Sequence, residues 1–218
     1  TLQAFSPFIP GDANNSGLPA TIQSIRVHNK GTEPLSVELV GWLENKLMLN
    51  TGKSKRNYSL QNKKTGNSHC QAILMDCDTA DAEIRKAPDF GSMAFTVLTP
   101  DAEIFADASA AGADLDIVKD LLNLVANPVA LIRSRHSLKP GASTRADFII
   151  SWYTPNISFD EKGQGMTVQG ADFHYYTKQF SNAFEVSDYI AQHYKQLRSK
   201  TLLWKETWYD STLSWWFL

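Results

Sequence analysis

The chain has 218 residues, of which 43% are hydrophobic and 20% are charged, and its formal net charge is −2. This length and composition are typical of a globular protein with its own hydrophobic core and exclude a disordered chain. The near-neutral charge provides no general attraction to nucleic acid or to an anionic membrane. The longest apolar runs, such as 148–150, are far too short to span a bilayer. We therefore expect no nucleic-acid partner and no transmembrane segment.

The first part of the chain carries the alternating pattern of half-buried β-strands. The segments ATIQSIRVH (20–28) and LSVELVGWL (35–43) alternate apolar and polar residues and flank a loop that contains Gly and Pro. This pattern predicts a β-hairpin with one buried face. The following segment, 46–68, is rich in Asn, Lys, Gly and Ser. That composition predicts a long exposed loop.

The middle of the chain contains further strands and one change of period. QAILMDC (71–77) and GSMAFTVLT (91–99) are predicted strands separated by an acidic loop. In 114–124 the apolar residues recur at three- and four-residue spacing, which predicts a short helix. A turn at 137–143 leads into TRADFIISWYTP (144–155), a strand rich in aromatic and β-branched residues. A glycine-containing loop is predicted at 163–165.

The last part of the chain is predicted to be helical. Asn182 followed three residues later by Glu185 is typical of a helix N-cap and capping box. Apolar residues then follow one face at helical spacing: Val186, Ile190, Tyr194, Leu197, Thr201, Trp204 and Trp208. The order of these elements indicates a mainly β protein. We predict an antiparallel β-sandwich with a short inserted helix and a C-terminal helical segment.

The two cysteines do not predict a disulfide. If Cys70 and Cys77 lie on one extended strand, seven steps of roughly 3.3 Å separate them by more than about 20 Å. This distance is far beyond disulfide reach, so two free thiols are expected.

The sequence contains only weak motifs for a metal site or a catalytic nucleophile. Asp76 and Asp78 have the spacing of a divalent-metal pair, but the further ligands and the turn Gly of a calcium loop are missing, which favours a solvated acidic loop. Asp172 and His174 would share one face of a strand without an identifiable third ligand. Ser211 has no G-x-S-x-G elbow around it, which favours a hydroxyl near a helix end.

A glycosidase site would need two carboxylic acids that face each other across a sugar bond. Glu44, Asp89 and Asp172 are candidates, but nothing in the sequence pairs them. Trp42 and Trp152 could stack on a sugar ring. Their positions on predicted strands favour core packing over sugar stacking.

Three separated stretches resemble the N-terminal β-sandwich domain of family 116 glycoside hydrolases, which are bacterial β-glucosidases and non-lysosomal glucosylceramidases. They are AFSPFIPGDANNSGLPA (4–20), GWLENK (41–46) and the ending FSNAFEVSDYIAQHY…LWKETWYDSTLSWWFL. The family form of the last motif is W-x-x-T-W-Y-D-S-T-L-P. The matching residues are Trp204, Thr207, Trp208, Tyr209, Asp210, Ser211, Thr212 and Leu213. Ser214 stands in place of the proline, which loosens the turn.

The resemblance implies a division into a β-sandwich at 1–180 and a helical linker at 181–218 that leads to an (α/α)6 catalytic barrel. Both ends of the chain are then expected to be interior to a longer polypeptide that begins with additional strands. The catalytic carboxylates of the family lie in the barrel, so none is assigned to residues 1–218. A retaining glycosidase of this kind needs no metal or organic cofactor.

The resemblance also implies a role for the aromatic residues near the C-terminus as a domain interface. The predicted interface residues are Trp204, Trp208, Tyr209, Trp215, Trp216, Phe217 and Leu218. Burial of the last four at about 1.5–3 kcal/mol each would contribute about 8 kcal/mol to docking of the barrel. The alternative is a tail that folds back on its own sandwich. Without the barrel, we expect self-association through this end.

Two functions follow from the sequence. The first is the non-catalytic N-terminal domain of a glucosidase, which meets its carbohydrate or glycolipid substrate only through the parent enzyme. The alternative is a freestanding carbohydrate-binding or adhesion module, because sandwich folds serve both purposes. A self-sufficient small hydrolase is least favoured, since no paired-acid signature is present.

Overall fold

The computed structural model describes residues 1–54, 57–99, 101–111, 120, 123, 125–157, 174–214 and 216. Within these residues, nine strands form two antiparallel sheets. The strands are β1 (Leu2–Phe5), β2 (Ala20–His28), β3 (Leu35–Glu44), β4 (Ser59–Gly66), β5 (Gln71–Asp78), β6 (Ser92–Val97), β7 (Glu103–Phe105), β8 (Val129–Leu138) and β9 (Ser143–Tyr153). The α-helices are α1 (Ala13–Ser16), α2 (Ala82–Arg85) and α3 (Ala183–Tyr209), and short 3-10 helices are Thr51–Ser54, Ala108–Ala111 and Tyr175–Lys178.

The elements form three layers, with the larger sheet in the middle. The larger sheet has the strand order β1-β2-β9-β6-β5-β4, and the smaller sheet has the order β3-β8-β7. Alternation along β9 directs Phe148 into the core between the two sheets and Ile149 into a second core beneath α3. The predicted mainly β sandwich with a C-terminal helix is therefore confirmed.

The predicted hairpin of 20–28 and 35–43 is wrong, because β2 and β3 belong to different sheets. β2 pairs with β9, and β3 pairs with β8, so both connections cross from one sheet to the other. The buried Asn29 holds the two crossings together: its side-chain amide donates to the carbonyls of Glu33 at 2.8 Å and Leu138 at 3.0 Å. The carbonyl of Asn29 accepts from the N–H of Gly141 at 2.9 Å.

The predicted loop at 46–68 is wrong in part, since it contains β4. Among the described strands, this one forms an edge of the larger sheet and pairs with β5. Lys63 and Lys64 on β4 are largely exposed, as charged residues on edge strands commonly are. Leu47 and Met48, which precede it, are buried in a small cluster beneath α2.

The strands predicted around β5, β6 and β9 are confirmed, whereas β7 and β8 were not predicted. Six consecutive residues of β8, 129–134, are buried, so this strand lacks the polar–apolar alternation that identifies a half-buried strand. The predicted loop at 163–165 lies outside the described residues, as does most of the predicted helix at 114–124.

The long helix α3 begins where the sequence predicts. Asn182 Oδ1 accepts from the N–H of Glu185 at 3.0 Å, and the Glu185 carboxylate accepts from the N–H of Ser181 at 2.8 Å. Val186, Ile190 and Leu197 are buried against the larger sheet. Full burial of such a side chain stabilises by about 1.5–3 kcal/mol, so this stripe holds the helix on the sheet.

A cluster of buried hydroxyls adds directional contacts beneath the first turns of α3. Ser187 Oγ lies 2.9 Å from Thr96 Oγ1 and 2.8 Å from Ser151 Oγ. Ser151 Oγ donates to the carbonyl of Ala183 at 2.7 Å, and Ser92 Oγ accepts from the N–H of the same residue at 2.9 Å. These hydroxyls are fully or almost fully buried. They fix the position of the helix start along the sheet, which apolar packing alone does not do.

We expect Ser187→Ala to lower the free energy of unfolding by about 1–3 kcal/mol, because it leaves two buried hydroxyls without this partner. Denaturant unfolding followed by circular dichroism measures the change. Ser199→Ala, on the exposed side of the same helix, is the matched control and is expected to change stability by less than about 0.5 kcal/mol. Equal effects of the two substitutions would contradict a specific role of the hydroxyl cluster.

Candidate functional site

The C-terminal part of α3 changes from a buried stripe to an aromatic surface. Thr201 is the last buried residue of the helix, and its Oγ1 accepts from the N–H of Phe8 at 3.1 Å. Trp204 is half-buried, with its ring 6.2 Å from that of Phe8 and 5.6 Å from that of Trp208. These ring contacts continue the packing of α3 for about one turn beyond Thr201.

From Leu203 onward, the end of α3 and the residues after it present apolar side chains to solvent. We call the described residues 203–214 and 216 the aromatic end. Its exposed large apolar residues and their accessible fractions are Leu203 (63%), Trp208 (38%), Tyr209 (73%), Leu213 (50%) and Trp216 (73%). Such a concentration of exposed aromatic and aliphatic side chains is typical of a protein–protein contact.

The structure brings together the described members of the predicted interface. Trp204, Trp208 and Tyr209 lie on the last turns of α3, and Trp216 follows shortly after the helix. The other predicted members, Trp215, Phe217 and Leu218, lie outside the described residues. Their role as a domain interface stays a prediction.

Three apolar residues at or beside this surface were not predicted from the sequence. Phe8 is 50% exposed and comes from the opposite end of the chain. Leu203 and Leu213 lie off the helical stripe that the period analysis follows. A search for apolar residues on the outward face of the helix would have found Leu203, but only the tertiary fold places Phe8 beside Trp204.

The helix ends in a local hydrogen-bonded turn. The N–H of Asp210 donates to the carbonyl of Glu206 at 2.8 Å, and Ser211 Oγ accepts from the N–H of Leu213 at 3.1 Å. Ser211 is therefore a hydroxyl at a helix end, as the sequence predicts.

A cleft of about 400 Å³ lies at the other end of α3, beside its N-cap. Asp76, Asp78, Lys63, Tyr153 and Asn182 are among its lining residues. The two aspartates lie on β5, so their predicted placement in a solvated acidic loop is wrong, although an acidic segment that contains α2 does connect β5 to β6. Burial raises the pKa of Asp76, although Lys63 Nζ at 3.9 Å from the carboxylate acts in the opposite direction. Carboxylate, ammonium, amide and phenol groups together can hydrogen-bond a polyol.

Those predicted metal and thiol candidates that the structure describes do not form a reactive site. Cys70 and Cys77 are free and buried, and burial raises their pKa values to about 12 and about 11, which keeps both thiols protonated. His174 precedes a 3-10 helix and stacks on Tyr176 at 5.2 Å, and Asp172 lies outside the described residues. In the described part of the chain, no cluster of His, Cys, Asp and Glu could bind a metal ion, and no helix has the length and apolar character needed to cross a membrane.

The other candidate acids are engaged in separate structural contacts. Glu44 Oε2 lies 3.2 Å from Lys46 Nζ. Asp89 Oδ2 accepts from the N–H groups of Asn50 and Thr51, each at 2.9 Å. The pKa of Asp89 is lowered, because these hydrogen bonds outweigh the opposing effect of burial. Each carboxylate therefore has a local role in holding a loop.

The prediction that Trp42 and Trp152 pack in the core is wrong. Trp42 is 48% exposed and Trp152 is 37% exposed. Trp42 shares the outer face of the smaller sheet with Val40, while Leu39 and Leu43 face the inner core. Trp152 is the second-last residue of β9. Both indoles can therefore meet a ligand.

Comparison with known proteins identifies one family. A family model described as "beta-glucosidase 2, glycosyl-hydrolase family 116 N-term" matches residues 1–197. The matched range includes both sheets and the sheet-packed part of α3 as far as Leu197, and it stops before the aromatic end. No curated protein matches the chain.

We expect Asp76→Asn to raise the melting temperature at pH 7. Burial raises the folded-state pKa of Asp76, so the ionised carboxylate destabilises the fold above that pKa. The advantage of the variant should vanish as the pH falls below the ordinary value of 3.8, where both states are protonated. Calorimetric scans between pH 3 and pH 7 measure the trend, with the exposed Glu33→Gln as control. A pH-independent difference would contradict this assignment.

Proposed function

The chain belongs to the N-terminal domain family of family 116 glycoside hydrolases, and from this premise we propose that it is the non-catalytic domain of a retaining β-glucosidase or glucosylceramidase-like enzyme. Its role is to brace an (α/α)6 catalytic barrel in the same polypeptide and to contribute loops to the rim of the sugar cleft. The observation that carries this proposal is the exposed aromatic end of α3.

The length and the two distinct parts of α3 suit the proposed bracing role. Its 27 residues extend over about 40 Å. The part up to Thr201 is anchored on the sheet by the apolar stripe and the hydroxyl cluster, and the part beyond it presents Trp208 and Tyr209 outward. Aromatic anchors of this kind dominate the binding free energy of protein interfaces. In this proposal residues 1–180 form the sandwich and residues 181–218 form the helical linker to the barrel, with the linker packed on the sheet as far as Thr201.

The catalytic chemistry is assigned to the barrel. In a retaining mechanism, one carboxylate attacks the anomeric carbon while a second protonates the leaving oxygen and then activates water. Neither step needs a metal or an organic cofactor. The proposed substrate is a β-linked glucoside or glycolipid. Separate structural contacts of Glu44 and Asp89 support the assignment of no catalytic residue to the described part of the chain.

The first test is an activity comparison. The 218-residue chain is expected to give no turnover of an aryl β-glucoside, and the full polypeptide encoded by the same gene is expected to hydrolyse it. In that full polypeptide, Trp208→Ala with Tyr209→Ala should weaken docking by about 2 kcal/mol or more. Calorimetry should then resolve separate unfolding of the two domains.

Trp42→Ala is the matched control, because it removes an exposed aromatic residue from the far sheet. It should leave the unfolding of the domains coupled. Turnover by the 218-residue chain alone, or identical behaviour of the two aromatic variants, would overturn the proposal.

A second candidate function is carbohydrate binding by the isolated domain. The exposure of Trp42 and Trp152 supports it, since exposed indoles can stack on sugar rings. Titration of the chain with glucose and cello-oligosaccharides, followed by tryptophan fluorescence, separates the two candidates. Millimolar or tighter binding that is lost in Trp42→Ala or Trp152→Ala would favour the binding module. No binding is expected for the bracing domain.

A further inference from the structure

A polar hollow of about 530 Å³ lies between α3 and the β1–β2–β9 part of the larger sheet. Ile22 on β2 packs beneath α3, so alternation places Ser24 and Arg26 on the same helix-facing side. Arg198 reaches the hollow from α3. We call it the arginine hollow, and the lining residues used below are Gln3, Ser24, Arg26, Ser143, Arg145 and Arg198.

Two of its arginines lie directly opposite each other across neighbouring strands. Arg26 on β2 is in register with Arg145 on β9. Side chains in such a pair share one face with Cβ atoms about 4.5–5.5 Å apart, and like charges there destabilise a sheet. Arg145 is compensated by Asp147, whose carboxylate lies 2.8 Å away, and it also contacts the Tyr194 hydroxyl. Arg26 has no carboxylate partner among the described residues.

The third arginine, Arg198, likewise has no carboxylate within salt-bridge distance among the residues that the structure describes. Arg198 Nη2 donates to Gln3 Oε1 at 2.8 Å, a neutral acceptor. Its Nε is buried and has no acceptor in the described part of the chain. Among the described residues, three guanidinium groups therefore meet a single carboxylate, that of Asp147, and the side chain of Arg26 is exposed, so the hollow carries excess positive charge that solvent can reach. Such an arrangement costs free energy unless an anion compensates it.

We propose that the arginine hollow binds a small molecule through a phosphate or carboxylate group. The planar guanidinium group offers a fork of N–H donors that matches both kinds of oxyanion. The hydroxyl of Ser24 adds a neutral donor beside the charged ones, and the hydroxyl of Ser143 lies 2.9 Å from His28 Nδ1. The hollow has the volume of a small-molecule site, about 300–1,000 Å³, and is much larger than one inorganic ion. The ligand therefore has a body beyond its anionic group.

Isothermal titration at low ionic strength tests the proposal with two probes, inorganic phosphate and citrate. Chloride at matched ionic strength corrects for general screening. We expect the wild-type chain to bind at least one probe, and Arg26→Gln and Arg198→Gln each to weaken that binding at least tenfold. Lys200→Gln removes a charge from an exposed position on the same helix and should leave binding unchanged. Binding of phosphate alone identifies a phosphate ligand, and binding of citrate alone identifies a carboxylate ligand.

The melting temperature of Arg26→Gln provides a second test of the proposal. This test applies even if Arg198→Gln does not fold. In buffer free of both probes, Arg26→Gln should melt at a higher temperature than the wild type, because it removes the like-charge pair. Addition of the bound probe should raise the melting temperature of the wild type and leave that of Arg26→Gln nearly unchanged. No binding of either probe, or equal weakening by Lys200→Gln, would overturn the proposal.

Discussion

The docking of α3 on the larger sheet is the interaction on which the rest of the structure depends. The apolar stripe supplies most of the free energy, and the hydroxyls around Ser187 fix the helix start along β6 and β9. Because a helix of this length is stiff, a position set at Ala183 also sets where the helix passes Phe8 and where its aromatic end begins. Three candidate surfaces of the domain, namely the N-terminal cleft, the arginine hollow and the aromatic end, are built against this one element.

The three surfaces along α3 differ in chemistry because different strands of the larger sheet lie beneath different parts of the helix. At the helix start, the acidic end of β5 forms a cleft with the N-cap. Beside the middle of the helix, β2 and β9 contribute Arg26 and Arg145, and the hollow is cationic. Beyond Thr201 the ring of Phe8 packs near that of Trp204, and the apolar side chains that follow are exposed. The bracing role requires only the aromatic end. The cleft at the helix start and the arginine hollow are therefore candidates for ligand binding.

The elements that the sequence predicts well are those specified by near neighbours. The start of α3 depends on Asn182 and Glu185, which are in contact within one turn, and β9 is recognisable by its own composition. The hairpin prediction was wrong because alternation identifies a strand and its buried face but carries no information on its partner. Asn29, which joins the two crossings through Leu138, is a contact between distant parts of the chain. β8 was missed because burial on both faces removes the alternation.

The features of the candidate site can be separated in the same way, into those set by local sequence and those set by contacts between distant residues. The sequence alone determined the sandwich class, the family resemblance, the aromatic cluster of Trp204, Trp208 and Tyr209, and the two free thiols, because each follows from a local pattern or motif. Only the tertiary structure decided that Phe8 meets Trp204 and that Arg198 joins Arg26 at one hollow. These contacts depend on strand pairing and on the docking of a helix, whose free energies come from residues far apart in the chain.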